Sequence, residues 1–442
     1  MFHRLRLWYS VLGAIVLALV VVVLAIGGRP DPMGPARALY GTWRFHPGDD
    51  LAWAEPGTDD AGWDRFFLTS RPGTRDDDVG LPGLLDGWRA RGHRDLEGYG
   101  WYRLRVELPP GGDLALLGPT MVDDGYQMFW NGRLIGGVGS FGQHPRVIQA
   151  RPFLVRLPPS NGDRTALLAI RTFMQPGFGR DDHSGGLRSA PTLASFPFAE
   201  RLHAAQWKRT IAGYIVEIAL PLMMFVLAGI ALLISPRIER PAFAQWLSVA
   251  LGATACLRLG NAVAAWTGLL AVAPLVWLNA LLLSPLAMLA WTIAWNNWTG
   301  GRDRQFVFFG AIAAWAMRVA GAVGHAEALA SAGRYASLAL FAMIAIRIAR
   351  RGEHRLLALA AMLPIMVALF ISEIARLGIP DIWFPFNIGV TLTQYAYALA
   401  LPLLCFALTA GARRGGLEPK PNGAPGRIPE MIDNRQAESA GE

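Results

Sequence analysis

The chain has 442 residues, of which 53% are hydrophobic and 17% charged, with a formal net charge of +8. That is too apolar for an ordinary soluble protein and too charged for a bare membrane bundle, so two solvents must share it. Its positive charge recurs at the ends of apolar runs, a topology pattern that argues against nucleic acid, and its two cysteines, Cys256 and Cys405, both lie inside such runs and supply no disulfide framework or metal cluster.

From the amino end, Arg4 and Arg6 precede an apolar run over 8–26, about 20 residues and long enough to span hydrocarbon. Residues 1–29 are either a membrane anchor or a signal peptide. The length of the run, and the distance to Ala36 and Ala38 as small residues for cleavage, favour the anchor.

Residues 30–205 read as water-soluble. WYRLRVEL at 101–108 places Tyr102, Leu104, Val106 and Leu108 on one face of a strand, with Arg103, Arg105 and Glu107 on a wet face. YQMFW at 126–130 meets Asn131-Gly132 and then RLIGG, a hairpin signature because Asn and Gly tolerate the positive φ of a type I′ turn. FLVRL at 153–157 and ALLAI at 166–170 add strands between Pro- and Gly-rich breaks, and the whole predicts an all-β sandwich or jelly roll. Trp101 and Tyr102 read as core, and Asp123 with Asp124 as organisers of a turn.

Two stretches at strand ends, 88–101 and 180–186, gather aromatic and polar groups. A sugar site needs an aromatic face for the ring and charged or amide groups for its hydroxyls, so Trp88, Arg91, His93, Asp181, Asp182 and His183 are the candidate ligand residues. Each also has a plain reading as a packing or surface group.

Further apolar runs fall at about 211–234, 243–259, 272–295, 306–323, 328–346, 355–376 and 386–410, each near spanning length. They predict an all-α bundle of seven transmembrane helices over 206–410, with a single re-entrant segment as the alternative at the 324–329 split. Arg237 and Arg240, Arg302 and Arg304, the arginines at 347–355, and Arg413 and Arg414 all fall on the side of Arg4 and Arg6. By the positive-inside rule that side is the cytoplasm, which makes 30–205 extracytoplasmic in a multi-pass protein of the inner (plasma) membrane. Residues 411–442 have the composition of a disordered cytoplasmic tail.

Ionisable groups at mid-span cost about 2.5–3.5 kcal/mol each and seldom persist unpaired. The topology puts Glu217, Arg258, Arg318, Glu373 and Arg376 at one depth, toward the extracytoplasmic ends of their helices. Interhelical ion pairs there would make a second pocket or a switch; snorkelling or simple helix glue is the alternative.

GTWRFHPGDD with Trp53, DDAGW ending at Trp63, LPG at 81–83, GYGWYR at 98–103 and VDDGYQMFWNGRLIG at 122–136 together resemble the galactose-binding-like jelly roll that precedes the catalytic barrels of some glycoside hydrolases. A jelly roll feeding seven spans resembles the bacterial seven-transmembrane receptors with diverse intracellular signalling modules. The resemblance implies a receptor for an extracytoplasmic ligand, carbohydrate or another small molecule, and leads one to expect a phosphatase, cyclase or kinase module after Thr409. The sequence departs from that pattern there, so the relay is expected to reach a separate cytoplasmic signalling protein. No catalytic motif, cofactor motif or metal-ligand set stands out, and an enzyme is not expected. A membrane-embedded enzyme, a transport component and an envelope scaffold are the competing readings.

Overall fold

The computed structural model describes residues 34–69, 84–109, 112–142, 145–159, 162–176, 183–299, 304–324, 326–351, 354–379, 382–383 and 389–410. The anchor or leader expected at 1–29 and the tail at 411–442 lie outside these residues, as do Asp181 and Asp182.

Two antiparallel sheets form the amino-terminal domain. The larger takes the order β3 (Asp64–Leu68), β2 (Gly41–Pro47), β4 (Gly98–Glu107), β10 (Thr165–Met174), β7 (Gly125–Trp130), β8 (Arg133–Val138). The smaller takes the order β1 (Ala36–Ala38), β12 (Thr192–Ser195), β5 (Leu114–Leu117), β9 (Leu154–Arg156), and a short extra pair joins β6 (Val122–Asp123) to β11 (Gly186–Leu187). The expected hairpin is present: Asn131 and Gly132 both adopt positive φ, 48° and 84°, and turn β7 into β8. Trp43, Phe45, Tyr102, Tyr126, Met128, Leu168 and Ile170 of the larger sheet close on Leu116 and Leu193 of the smaller one, which makes the pair a sandwich with a dry interior.

The wet face expected on β4 is only half wet. Arg105 and Glu107 are exposed, but Arg103 is 1% exposed. Residues 49–63, with a 3-10 turn at Leu51–Ala54, fold across the outside of the larger sheet and build a second small core from Ala54, Trp63, Trp101, Phe129 and Ala169. Under this cover the Arg103 guanidinium donates to the carbonyls of Thr58 at 2.9 Å and Glu55 at 2.9 Å, pairs with Asp60 at 3.2 Å, and lies over the Trp63 ring. Burial pulls its pKa down and Asp60 pulls it back up. Period-2 alternation reports which side a residue faces, and it carries no information about a distant segment that later covers that side.

The outside of the smaller sheet is covered by a helix. α1 (Phe196–Gly213) begins inside the segment assigned to the soluble domain, with Pro197 in its first turn, and lays Phe198 and Ala199 on Ala115, Leu117 and Ala194. The sandwich therefore passes directly into the helical half. That half continues with α2 (Val216–Ile234), α3 (Pro241–Thr267), α4 (Val272–Thr299, with a π-helical turn at Asn279–Leu283), α5 (Arg304–Val323), α6 (Glu327–Arg351), α7 (Arg355–Leu369), α8 (Ile371–Ala375) and α9 (Leu392–Ala410).

Among the described residues, five helical stretches are long and apolar enough to cross a membrane: Phe196–Arg237, which runs through α1 and α2, Pro241–Thr267, Val272–Thr299, Arg304–Val323 and Glu327–Arg350. Apolar helices Arg355–Leu369 and Leu392–Leu408 are shorter. The second run is a helix of spanning length, as expected, and two expected bounds are corrected. The sixth stops at Phe370, whose non-helical backbone separates α7 from α8 after Pro364 has removed one internal donor; the seventh starts at Leu392, behind the paired segments Ile382–Trp383 and Val390–Thr391. At the 324–329 split, α5 and α6 are separate long helices brought together at small residues, with Gly321 against Ala330 and Gly333 against Ala314. Trp291, Trp295, Phe243 and Phe341 fill the bundle core, while Leu233, Phe306, Phe309, Leu356 and Leu399 point outward, a surface suited to hydrocarbon.

The Tyr126 hydroxyl is buried and makes no hydrogen bond among the described residues. Burial drives its pKa far above the ordinary 10.0, as it does for Tyr102. A raised folded pKa means that the native advantage is whole below pH 10 and is lost as pH rises beyond it, because the unfolded phenol ionises first. Differential scanning fluorimetry of the full-length protein should show Tm falling above about pH 10. Tyr126→Phe should flatten that fall and cost less than about 1 kcal/mol at pH 7, since no hydrogen bond is lost. A variant that loses several kcal/mol at neutral pH would contradict an unpartnered hydroxyl.

Candidate functional site

The helices alternate in direction, so one end of the bundle collects the start of α2, the α3–α4 turn, the α5–α6 turn and the start of α9. The sandwich sits on this end. Gly268, at φ 62°, terminates α3 in the left-handed conformation, and the Thr267 hydroxyl accepts from Leu269 N at 3.1 Å to shape the turn. Arg146 of the sandwich donates to the Leu269 carbonyl at 2.8 Å, Val272 N donates to the Val147 carbonyl at 3.0 Å, and the Gln149 amide donates to the Tyr214 hydroxyl. Around these contacts Met121 and Leu84 pack with Tyr214, Ile218, Ala262, Ala265 and Trp266.

One turn beyond Tyr214, Glu217 enters the bundle. Its Oε1 pairs with Arg258 of α3 at 2.6 Å and accepts from the Gln394 amide of α9 at 2.5 Å. Arg258 lies nine residues before the end of α3, about 13 Å along the helix from its terminus. Thr254, one turn from Arg258 toward the far end, accepts from the Trp291 indole of α4 at 3.1 Å. Three helices are thus tied by one carboxylate. The arrangement can hold a charge pair away from water, and a shift of any one helix changes its geometry.

The other expected membrane charges pair differently from the sequence reading. Arg318 of α5 donates to Ser284 Oγ at 2.9 Å and Met288 Sδ at 3.0 Å on α4. Glu373 of α8 has Arg334 of α6 as its nearest cation, at 4.0 Å. Arg376 donates to the Tyr335 hydroxyl at 2.7 Å. The sequence reading named these charges without choosing partners, because partner choice depends on rotation of each helix. Gln394 escaped a search for charge, and Arg334 was passed over although it lies in the same kind of apolar run.

The loop candidates are largely occupied by their own fold. Trp88 is fully buried in the sandwich core, donates to the Leu96 carbonyl at 3.1 Å, and is covered by Gly185 and Gly186, where a side chain would collide with its ring. It offers no stacking face. The reason is that residues 84–91 fold back onto 183–188 through backbone bonds such as Gly87 N to the His183 carbonyl at 2.7 Å. Arg91 donates to the carbonyls of Asp86 and Phe67, and His93 bonds Asp64 at 3.0 Å beside the stacked Phe45 and Phe66 rings. His183 remains largely exposed and bonds Asp86 at 3.1 Å. Asp123 accepts from Gly185 N and Arg188, and Asp124 from Gln175 N, consistent with organising turns.

Sequence reasoning also missed a polar centre on the outer face of the larger sheet. Arg171 of β10 pairs with Asp49 through both carboxylate oxygens, donates to Gln127 at 3.0 Å, and lies over the Tyr99 and Phe141 rings. The Trp101 indole donates to Asp49 at 3.2 Å, and burial raises the Tyr99 pKa against the lowering pull of Arg171.

No protein-family model matches the sequence, and a search of curated proteins found no match. Among solved structures, the chain is similar to a Bacteroides uniformis β-glucuronidase, with 20% identity over 36% of this chain and 17% of that one and a TM-score of 0.26. It is also similar to a GH2 β-galacturonidase from Eisenbergiella tayi bound to glycerol, with 15% identity over 38% and 25% of the two chains and a TM-score of 0.26. The chain thus spans between about a sixth and a quarter of the length of these two enzymes. At such scores the likeness carries no argument about ligand or activity.

Leaving one member of the buried pair alone should cost about 3–5 kcal/mol, whereas replacing both by apolar residues should be far less harmful. Thermal unfolding in detergent should therefore rank Glu217→Leu and Arg258→Met well below the double variant. Trp88→Ala should cost about 3–5 kcal/mol as a core truncation, while His183→Ala stays within about 0.5 kcal/mol. Equal losses at these two positions would contradict the placement of Trp88.

Proposed function

We propose that this chain is a membrane receptor or sensor of the kind it resembles, the seven-transmembrane receptors with diverse intracellular signalling modules. In this reading the sandwich is a galactose-binding-like jelly roll outside the cytoplasm that binds a small ligand, of which carbohydrate is the leading class. α7 and α9 complete seven spans. Arginines at 237–240, 302–304 and 347–355 mark the cytoplasmic face, and a separate cytoplasmic protein receives the signal there.

One observation supports this reading above the others. Gln149 of the sandwich holds the Tyr214 hydroxyl at the entry to α2, and Glu217, one turn farther on, holds α3 and α9 together. Force applied to the domain thus meets the bundle at a charge pair whose geometry is sensitive to helix position. A ligand that favours one seating of the sandwich biases the helix arrangement by the difference in its affinity for the two seatings.

Cys256, exposed on α3 two residues before Arg258, suits a reporter in the full-length protein carrying Cys405→Ser. In nanodiscs, a screen of glycans should yield a saturable ligand that raises Tm and changes the emission of a fluorophore on Cys256. Tyr214→Phe should reduce the emission change while leaving binding within about 3-fold, less than 1 kcal/mol. A panel without a saturable ligand, or a ligand that leaves the reporter unchanged, would sink the receptor reading.

A further inference from the structure

The second membrane cluster is not electrically balanced. Arg318, Arg334 and Arg376 stand near one described carboxylate, Glu373, and only Arg334 approaches it, at 4.0 Å. Arg376 is exposed and bonds the half-exposed Tyr335, so it reaches out of the bundle. Arg318 and Arg334 do not. Arg318 is held by a hydroxyl and a thioether, two neutral acceptors, and among the described residues no carboxylate pairs with it. Arg334 has in addition only the Ser331 hydroxyl, at 3.3 Å, and the buried Oε1 of Glu373 accepts no hydrogen bond among the described residues.

Packing sets the Arg318 stem against α6 beside Arg334. A side chain at Gly333 would meet Arg318 Cγ and the Ala314 carbonyl, both at 2.7 Å, so the Arg318 stem crosses α6 over the one residue that leaves it room, next to Arg334. Arg318 and Arg334 stand five and seven residues from the ends of α5 and α6 on the side of the sandwich, about 8–10 Å along the helices. That distance suits the boundary between headgroups and acyl chains, or a polar vestibule under the sandwich. Like charges in a partly dry site repel, and a buried cation without a counter-ion is costly. An oxyanion offers paired acceptors to the planar fork of each guanidinium, which a hydroxyl and a thioether do not. The Glu217–Arg258 pair shows the contrast, because there a carboxylate oxygen stands 2.6 Å from the guanidinium.

We propose that the sandwich side of α5, α6 and α8 forms an anion-binding site in which Arg318 and Arg334 ligate a phosphate group, with Glu373 opposing the anion. A free phosphate and the phosphate of a lipid headgroup share this chemistry.

The full-length chain in phosphatidylcholine nanodiscs is titrated with inorganic phosphate by calorimetry, and retention of phosphatidylglycerol is followed in parallel by native mass spectrometry of protein from mixed-lipid nanodiscs. Saturable phosphate binding assigns a soluble ligand. Selective phosphatidylglycerol retention with no phosphate binding assigns a lipid. In whichever arm binds, R318Q and R334Q should each weaken binding by about 10-fold, the loss of one charge-assisted contact. R376Q should change it by less than about 2-fold. E373Q should tighten binding several-fold, a gain that a misfolded variant does not produce. Absence of binding in both arms, unaltered binding by R318Q and R334Q, or weaker binding by E373Q overturns the site. The receptor reading does not depend on this result, because its test is made at the sandwich and at Cys256.

Discussion

One carboxylate in an apolar setting organises the helical half of this molecule. Glu217 cannot remain charged there alone, and its partners come from two other helices, Arg258 on α3 and Gln394 on α9. α9 is far from α2 in sequence, so the Gln394 contact closes the bundle while Arg258, on the next helix, neutralises the charge. Because α2 follows α1 and Tyr214 with little interruption, the same constraint reaches the sandwich. Removing either member of the pair alone leaves an uncompensated charge in that apolar setting, which costs far more than replacing both.

The sandwich meets the problem of two exposed faces with covers of different kinds. A loop containing Trp53 and Trp63 shields the larger sheet, and α1 shields the smaller. Both covers come from chain adjacent to strands of the sheet they protect, which keeps the domain small while almost all of β10 is buried on both faces. Arg103 and Arg171 are consequences of this plan: each is a strand residue whose outward position was roofed over, and each is answered by backbone carbonyls or a carboxylate from the covering segment.

What could be read from the sequence was whatever depends on local periodicity. The β7–β8 turn follows from Asn131-Gly132, the strand at β4 from its alternation, and the apolar helices from run length. What could not be read depends on chain that returns from elsewhere. Trp88 looked like a platform for a sugar because it is aromatic and flanked by polar residues, yet Gly185 and Gly186 close over it from nearly a hundred positions later. The membrane charges were found by cost, since each is expensive wherever it lies. Their pairing was beyond reach, and the cation nearest Glu373 is Arg334, which was not among the expected charges.

The seat of the sandwich on the bundle has a consequence for reach. Arg146, Val147 and Gln149 hold one rim of the domain to the α3–α4 turn and to Tyr214, while α1 runs from the opposite sheet into α2. A domain anchored at two places by a helix and by backbone hydrogen bonds does not sweep a volume as one on a flexible tether does. Its position relative to the bundle is fixed at both places, so whatever displaces the sandwich must also displace the α3–α4 turn or the start of α2.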